Sequence, residues 1–101
     1  MKARALEPSV QDNATSVFRI LALTDAAIWS LGQDHVANPR GATIYARADL
    51  IVAAILGVGL HVDPAEPPPR HANIVGWPTE KHASMSLAQQ LAAEAVLIML
   101  V

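Results

Sequence analysis

The chain has 101 residues, of which 52% are hydrophobic and 16% are charged, and its formal net charge is −2 at pH 7. Disorder over most of the chain is excluded, because disorder requires low hydrophobicity and high net charge. The absence of cysteine excludes disulfides, thiolate catalysis and cysteine zinc sites. Seven basic residues against nine acidic ones are too few to neutralise a phosphate backbone, so we do not expect nucleic acid as a partner.

The first elements are predicted from polarity and capping signals. Residues 1–15 are polar and lack periodicity, which predicts a flexible N-terminal tail ahead of a single domain at 16–101. A first strand is predicted over 17–23. A helix then begins at Thr24 and Asp25, whose side-chain oxygens can accept free backbone N–H groups. We expect this helix to be short.

The middle of the chain predicts a loop, a helix and a strand. Residues 33–43 are rich in turn-forming side chains and predict a loop. The strongest interior helix prediction covers 48–56, and the glycines that follow would end it, because glycine adopts left-handed backbone angles without steric cost. A strand is predicted over 60–63.

The last third begins with four prolines between residues 64 and 69, which exclude helix and inner strand because proline lacks the N–H donor. A strand is predicted over 71–75. The amphipathic spacing after Thr79 predicts a helix over 80–99. Together these elements predict an α+β fold, a small three- or four-stranded sheet with helices packed on one face, with a mostly α fold as the alternative.

The end of the chain is apolar without interruption from Ala95 to Val101. A helix would point these side chains in every direction, so a one-sided core cannot cover all of them. Insertion into the core of one subunit is one explanation, and a subunit interface is the one we favour. The predicted interface of a homo-oligomer consists of Val96, Leu97, Ile98, Met99, Leu100 and Val101.

Membrane and secretion signals are not predicted. The apolar runs at 50–60 and 91–101 are shorter than the roughly 18–20 residues that cross a bilayer. The N-terminal residues lack the apolar stretch of a signal peptide. We therefore expect a cytoplasmic protein without membrane partners.

Three side chains form the most site-like pattern. His61 and Asp63 share one face of a predicted strand, and His71 would join them if the two flanking strands pair. Such a group suits catalysis by a small hydrolase or nuclease, or a metal ion. No recognisable further ligand follows at close spacing, so we expect no metal and no cofactor, and these residues remain weak catalytic candidates.

Aromatic side chains suggest a second kind of site. An apolar pocket between sheet and helices would be lined by Trp29, Tyr45 and Trp77, together with Phe18. Apolar walls with few polar groups are the usual form of a small-molecule site. An ordinary core position explains each of these residues equally well.

The segment His71-Ala72-Asn73-Ile74-Val75-Gly76-Trp77-Pro78, followed by an Ala/Leu-rich helix, resembles short uncharacterised bacterial proteins of mobile genetic elements such as integron cassettes, phage and genomic islands. The resemblance implies no established activity. We expect a non-catalytic binding or interaction module that self-associates through its apolar end. The alternatives are a protein that binds a small apolar ligand and a His/Asp-dependent hydrolase or nuclease.

Overall fold

The computed structural model describes residues 2–99 and has an α+β fold, as the sequence predicts. Two small antiparallel sheets accompany three α-helices within these residues. The helices are α1 (Asp25–Gly32), α2 (Val52–Gly57) and α3 (Lys81–Glu94). The strands are β1 (Thr15–Phe18), β2 (Ala46–Asp49), β3 (His61–Pro64), β4 (His71–Val75) and β5 (Val96–Met99).

The larger sheet has the strand order β1-β4-β3, with β4 in the centre. One face of β4 carries Ala72 and Ile74, which are fully buried. Ile74 belongs to the core with Leu91 of α3, Ile55 of α2 and the indole of Trp77. Alternation along the strand therefore turns one face of this sheet towards the helices and leaves the other face outside.

The smaller sheet is a ribbon in which β2 pairs with β5. It corrects two helix predictions: the last helix ends at Glu94, and residues 48 and 49 belong to a strand. Ala95 has extended backbone angles, and the apolar residues that follow it pair with β2. The apolar run after Ala95 has no polar face and suits a strand as well as a helix. Its pairing with β2 makes it a strand, and the same pairing places residues 48 and 49 in β2.

The first helix begins as predicted. Thr24 is its N-cap and accepts a hydrogen bond from the N–H of Ala27 at 3.2 Å. The predicted loop at 33–43 is partly helical instead, with a π-helical turn at Gln33–Ala37 and a 3-10 turn at Asn38–Arg40. The preceding strand is shorter than predicted and ends at Phe18.

The N-terminal segment differs from the predicted loose tail. Residues Ala3–Leu6 form a 3-10 turn, and the Leu6 side chain is buried in the core. The hydroxyl of Thr15 donates to the Leu6 carbonyl at 2.7 Å, and Asn13 donates to the Trp77 carbonyl at 2.9 Å. The sequence did not reveal this packing because Leu6 is the one large aliphatic side chain between Lys2 and Ser9, and one such residue shows no periodicity.

The strands predicted over 60–63 and 71–75 are confirmed as β3 and β4, and the proline-rich connection between them forms no helix. None of the helices in the described part of the chain combines the length and the hydropathy needed to cross a bilayer.

Candidate functional site

The outer face of the three-stranded sheet carries a group of polar side chains. The register pairs Ser16 with Asn73 and Phe18 with His71 between β1 and β4, and Asp63 with Asn73 between β3 and β4. Directly paired residues share a face, and this face is opposite to the buried Ala72. The outer face therefore brings together a hydroxyl, an imidazole, an amide and a carboxylate.

The imidazole of His71 is held by three neighbours. Its Nε2 lies 2.5 Å from the hydroxyl oxygen of Ser16, and its Nδ1 lies 2.8 Å from the carbonyl oxygen of Ala65. The ring of Phe18 meets it edge to face, with the centroids 5.4 Å apart. A carbonyl oxygen only accepts, so Nδ1 carries the proton, and in the neutral ring the Nε2 lone pair faces the Ser16 hydroxyl.

The three predicted catalytic candidates do not converge. His61 pairs with Val75, at the opposite end of β4 from His71, and Asp63 lies between them opposite Asn73. No group of three His, Asp or Glu side chains within residues 2–99 is arranged to hold a metal ion. Of the three candidates, His71 alone makes a close contact with another reactive side chain, and that side chain is Ser16.

Ser16 lies between the predicted tail at 1–15 and the predicted first strand at 17–23, so the sequence did not indicate its place on the sheet. The signal lies in the alternation Ser16-Val17-Phe18, which puts Ser16 and Phe18 on one face once β1 is known to begin at Thr15. The diagonal contact from Ser16 to His71 additionally requires the register between two strands far apart in the sequence.

An open cleft of about 410 Å³ adjoins Ser16. Ser16 and Asn73 both line it, together with the carboxylates Glu7 and Asp12 and the guanidinium of Arg40. Its wall is therefore polar and of mixed charge. The cleft does not match the apolar pocket expected from the aromatic side chains.

The aromatic candidates for ligand binding lie in different surroundings. Trp77 is buried in the core and donates its indole N–H to the Ile74 carbonyl at 3.1 Å. Tyr45 is 72% exposed, and Trp29 lies on α1 beneath the guanidinium of Arg47. None of them lines the cleft at Ser16 or a second cleft of about 560 Å³ between α2 and α3. Trp77 is thus a core residue, and its role in a ligand pocket stays a prediction.

Arg47 attaches the ribbon to α1. Its guanidinium carbon lies 5.0 Å from the centre of the Trp29 ring, and its Nη2 donates to Asp25 at 3.2 Å. Its Nε lies 3.2 Å from an oxygen of Asp49 without hydrogen-bond geometry. The side chain is only 13% exposed. One face of the ribbon is thus held against α1 by a partly buried cation–π contact.

The opposite face of the ribbon is apolar and uncovered. The register pairs Ala46 with Met99 and Ala48 with Leu97, so these four side chains share the face that Arg47 does not occupy. Leu97 is 53% exposed and Met99 58% exposed. Val96, which pairs with Asp49 and lies on the same face as Arg47, is 60% exposed. Ile98 pairs with Arg47 on the same face as Val96 and is partly buried. The remaining two predicted interface residues, Leu100 and Val101, lie outside the described residues.

The chain matches no known family model, no curated protein and no solved structure. Its two candidate functional surfaces are the polar outer face of the sheet and the apolar outer face of the ribbon.

Proposed function

We propose that the protein is an interaction module that self-associates through the β2–β5 ribbon. The observation that carries this proposal is the apolar outer face of the ribbon, formed by Ala46, Ala48, Leu97 and Met99. Its leucine and methionine are more than half exposed. Burying one such side chain contributes roughly 1.5–3 kcal/mol, so a partner that covers this face gains substantially in free energy.

The free edge of β5 supports a second copy of this chain as the partner. Within residues 2–99, β5 pairs with β2 alone, so the other edge offers unpaired backbone N–H and C=O groups. The strand reads Val-Leu-Ile-Met and carries no charge or proline that would oppose pairing. Two β5 strands pairing antiparallel about a two-fold axis bring no like charges together and form a four-stranded sheet from two ribbons.

The small size of the ribbon favours the same partner. A two-stranded sheet on its own is marginally stable in water, and pairing with a second copy extends the ribbon to a sheet of four strands. A standard interface uses roughly 800 Å² from each partner, about one eighth of the 6601 Å² accessible surface of this molecule. Exposed apolar side chains flanking the ribbon, Tyr45 before β2 and Ile51 after it, extend the available area.

The sequence supports a proposed cellular location, the cytoplasm of a bacterium. The resemblance to short bacterial proteins of mobile genetic elements supports an accessory role in a bacterial cytoplasm. A cysteine-free chain is compatible with that reducing compartment. A role in binding a small apolar ligand has less support, because none of the aromatic side chains expected to form its pocket lines either cleft.

Analytical ultracentrifugation tests the proposal with the variant Leu97→Glu. A glutamate there places an unpaired charge in the interface, which costs several kcal/mol, so dimer dissociation should rise by at least about 100-fold. The matched control is Leu21→Glu, because Leu21 is 88% exposed and lies outside the ribbon.

We expect the wild-type chain and Leu21→Glu to sediment as dimers and Leu97→Glu to sediment as a monomer. A wild-type protein that stays at the monomer mass of 10.7 kDa up to submillimolar concentration contradicts the proposal. Equal dimerisation of Leu97→Glu and wild type contradicts the assigned surface.

A further inference from the structure

We propose that Ser16 and His71 form a nucleophile–base pair that transfers the acyl group of small carboxylic esters bound in the adjoining cleft. This activity is independent of self-association, because the pair lies on the three-stranded sheet and the proposed interface lies on the ribbon. The arrangement has the three parts that activate a serine: a hydroxyl, a base within hydrogen-bond reach, and a group that orients the base.

The orientation of the His71 imidazole is the strongest argument for this pair. The Ala65 carbonyl accepts from Nδ1 of His71 at 2.8 Å and thereby fixes the tautomer in which Nε2 is free to accept a proton. Nε2 lies 2.5 Å from the Ser16 hydroxyl oxygen. A backbone carbonyl thus takes the orienting position that a carboxylate holds in a Ser-His-Asp triad.

The surroundings keep the pair in place. Ser16 lies on β1 and His71 on the central strand β4, so ladder hydrogen bonds fix the two backbones relative to each other. The edge of the Phe18 ring packs against the imidazole. Sites built on strands hold a reactive geometry more accurately than sites on loops.

The reaction proceeds in two steps, acylation of Ser16 and hydrolysis of the acyl-serine. The Ser16 oxygen bonds to the ester carbonyl carbon while its proton passes to Nε2 of His71. The bond from that carbon to the alkoxy oxygen then breaks, and Nε2 returns the proton to the departing alcohol. Water attacks the acyl-serine by the same route, which releases the acid and restores the Ser16 hydroxyl.

The cleft indicates the class of ester. Asn73 is the cross-strand partner of Ser16 and lines the same cleft, where an amide N–H is a suitable donor to the carbonyl oxygen as it gains negative charge. The volume of about 410 Å³ and the charges of Glu7, Asp12 and Arg40 suit a short polar ester better than a long-chain lipid.

An alkyl fluorophosphonate, which phosphonylates activated serines, is the first probe. We expect one adduct per chain, located at Ser16 by peptide mass mapping. Ser16→Ala should abolish it, and His71→Ala should lower the labelling rate by about 100-fold. Ser86→Ala is the control, because Ser86 is exposed on α3, away from the outer face of the sheet.

A second measurement does not require the histidine variant to fold. The chain lacks cysteine, so Ser16→Cys and Ser86→Cys each introduce a single thiol. We expect iodoacetamide to alkylate the thiol at position 16 at least about 10-fold faster, because an adjacent imidazole promotes thiolate formation. Absence of a fluorophosphonate adduct at Ser16, or equal alkylation rates of the two thiols, overturns the proposal.

Discussion

Truncation of Leu91 to alanine tests how the core is held together. Leu91 lies on α3 with no exposed surface and belongs to the core cluster that includes Ile74 and Trp77. Leu91→Ala removes three carbon groups, each worth about 0.8 kcal/mol of transfer free energy. The cavity left behind adds to that loss, and buried leucines generally cost roughly 2–5 kcal/mol when truncated.

We expect Leu91→Ala to lower the free energy of unfolding by about 3 kcal/mol, within a total of roughly 5–15 kcal/mol for a chain of this size. The melting temperature should fall by about 12–24 °C. Leu21→Ala is the matched control, because the same atoms are removed from a side chain that is 88% exposed. Its effect should stay within about 0.5 kcal/mol.

Urea unfolding followed by Trp fluorescence measures both variants. All samples need the same protein concentration, because self-association adds to the apparent stability of the folded state. The dependence of the free energy of unfolding on urea concentration should be the same for the variants and the wild type. A shift in the urea concentration at the unfolding midpoint then reports a change in stability alone. A loss below about 1 kcal/mol for Leu91→Ala, or equal losses for both variants, would refute the assignment of Leu91 to the core.

Two further predictions concern helix ends. The carboxylate of Glu80 accepts from the backbone N–H groups of His82 and Ala83, which lowers its pKa below the ordinary value of 4.5. The stabilisation by the Glu80 carboxylate is complete above pH 4.5 and is lost as the pH falls below that value and the carboxylate is protonated. Circular dichroism should therefore show a loss of helix in acid for the wild type that is absent in Glu80→Gln. Gly59 has a φ of +85, which an alanine adopts only with strain, so Gly59→Ala should lower the free energy of unfolding by about 1 kcal/mol. Gly57 lies within α2, so Gly57→Ala should leave the melting temperature unchanged or raise it. Matching acid titrations of wild type and Glu80→Gln, or equal effects of the two glycine variants, would contradict these assignments.

Local signals predicted the elements that depend on neighbouring residues. The cap at Thr24 involves a backbone N–H three residues away, and the alternation of β4 is visible in the segment itself. The helix wrongly extended over residues 95–99 shows the opposite case. That segment is apolar on every side, and its pairing with β2 decides between helix and strand. A pairing strand some fifty residues away cannot be recognised from the local hydrophobic pattern.

The sequence revealed half of the candidate catalytic pair. His71 was recognised as a residue of chemical interest, whereas Ser16 was assigned to the segment ahead of the first strand. The two are brought together by the register of β1 against β4, and a shift of one residue would turn one of them to the buried face. The sequence left open whether pairing of the two flanking strands would bring His61 to His71. The strands do pair, but the register places His61 opposite Val75, at the other end of β4 from His71.

The connectivity of the ribbon has a consequence for biosynthesis. The ribosome completes β2 some fifty residues before β5, whereas every strand of the larger sheet has been made by residue 75. The nascent chain can therefore assemble its main sheet while Ala46–Asp49 still has an open edge. The second sheet closes only after residues 96–99 have been made, so β2 has no partner strand until then.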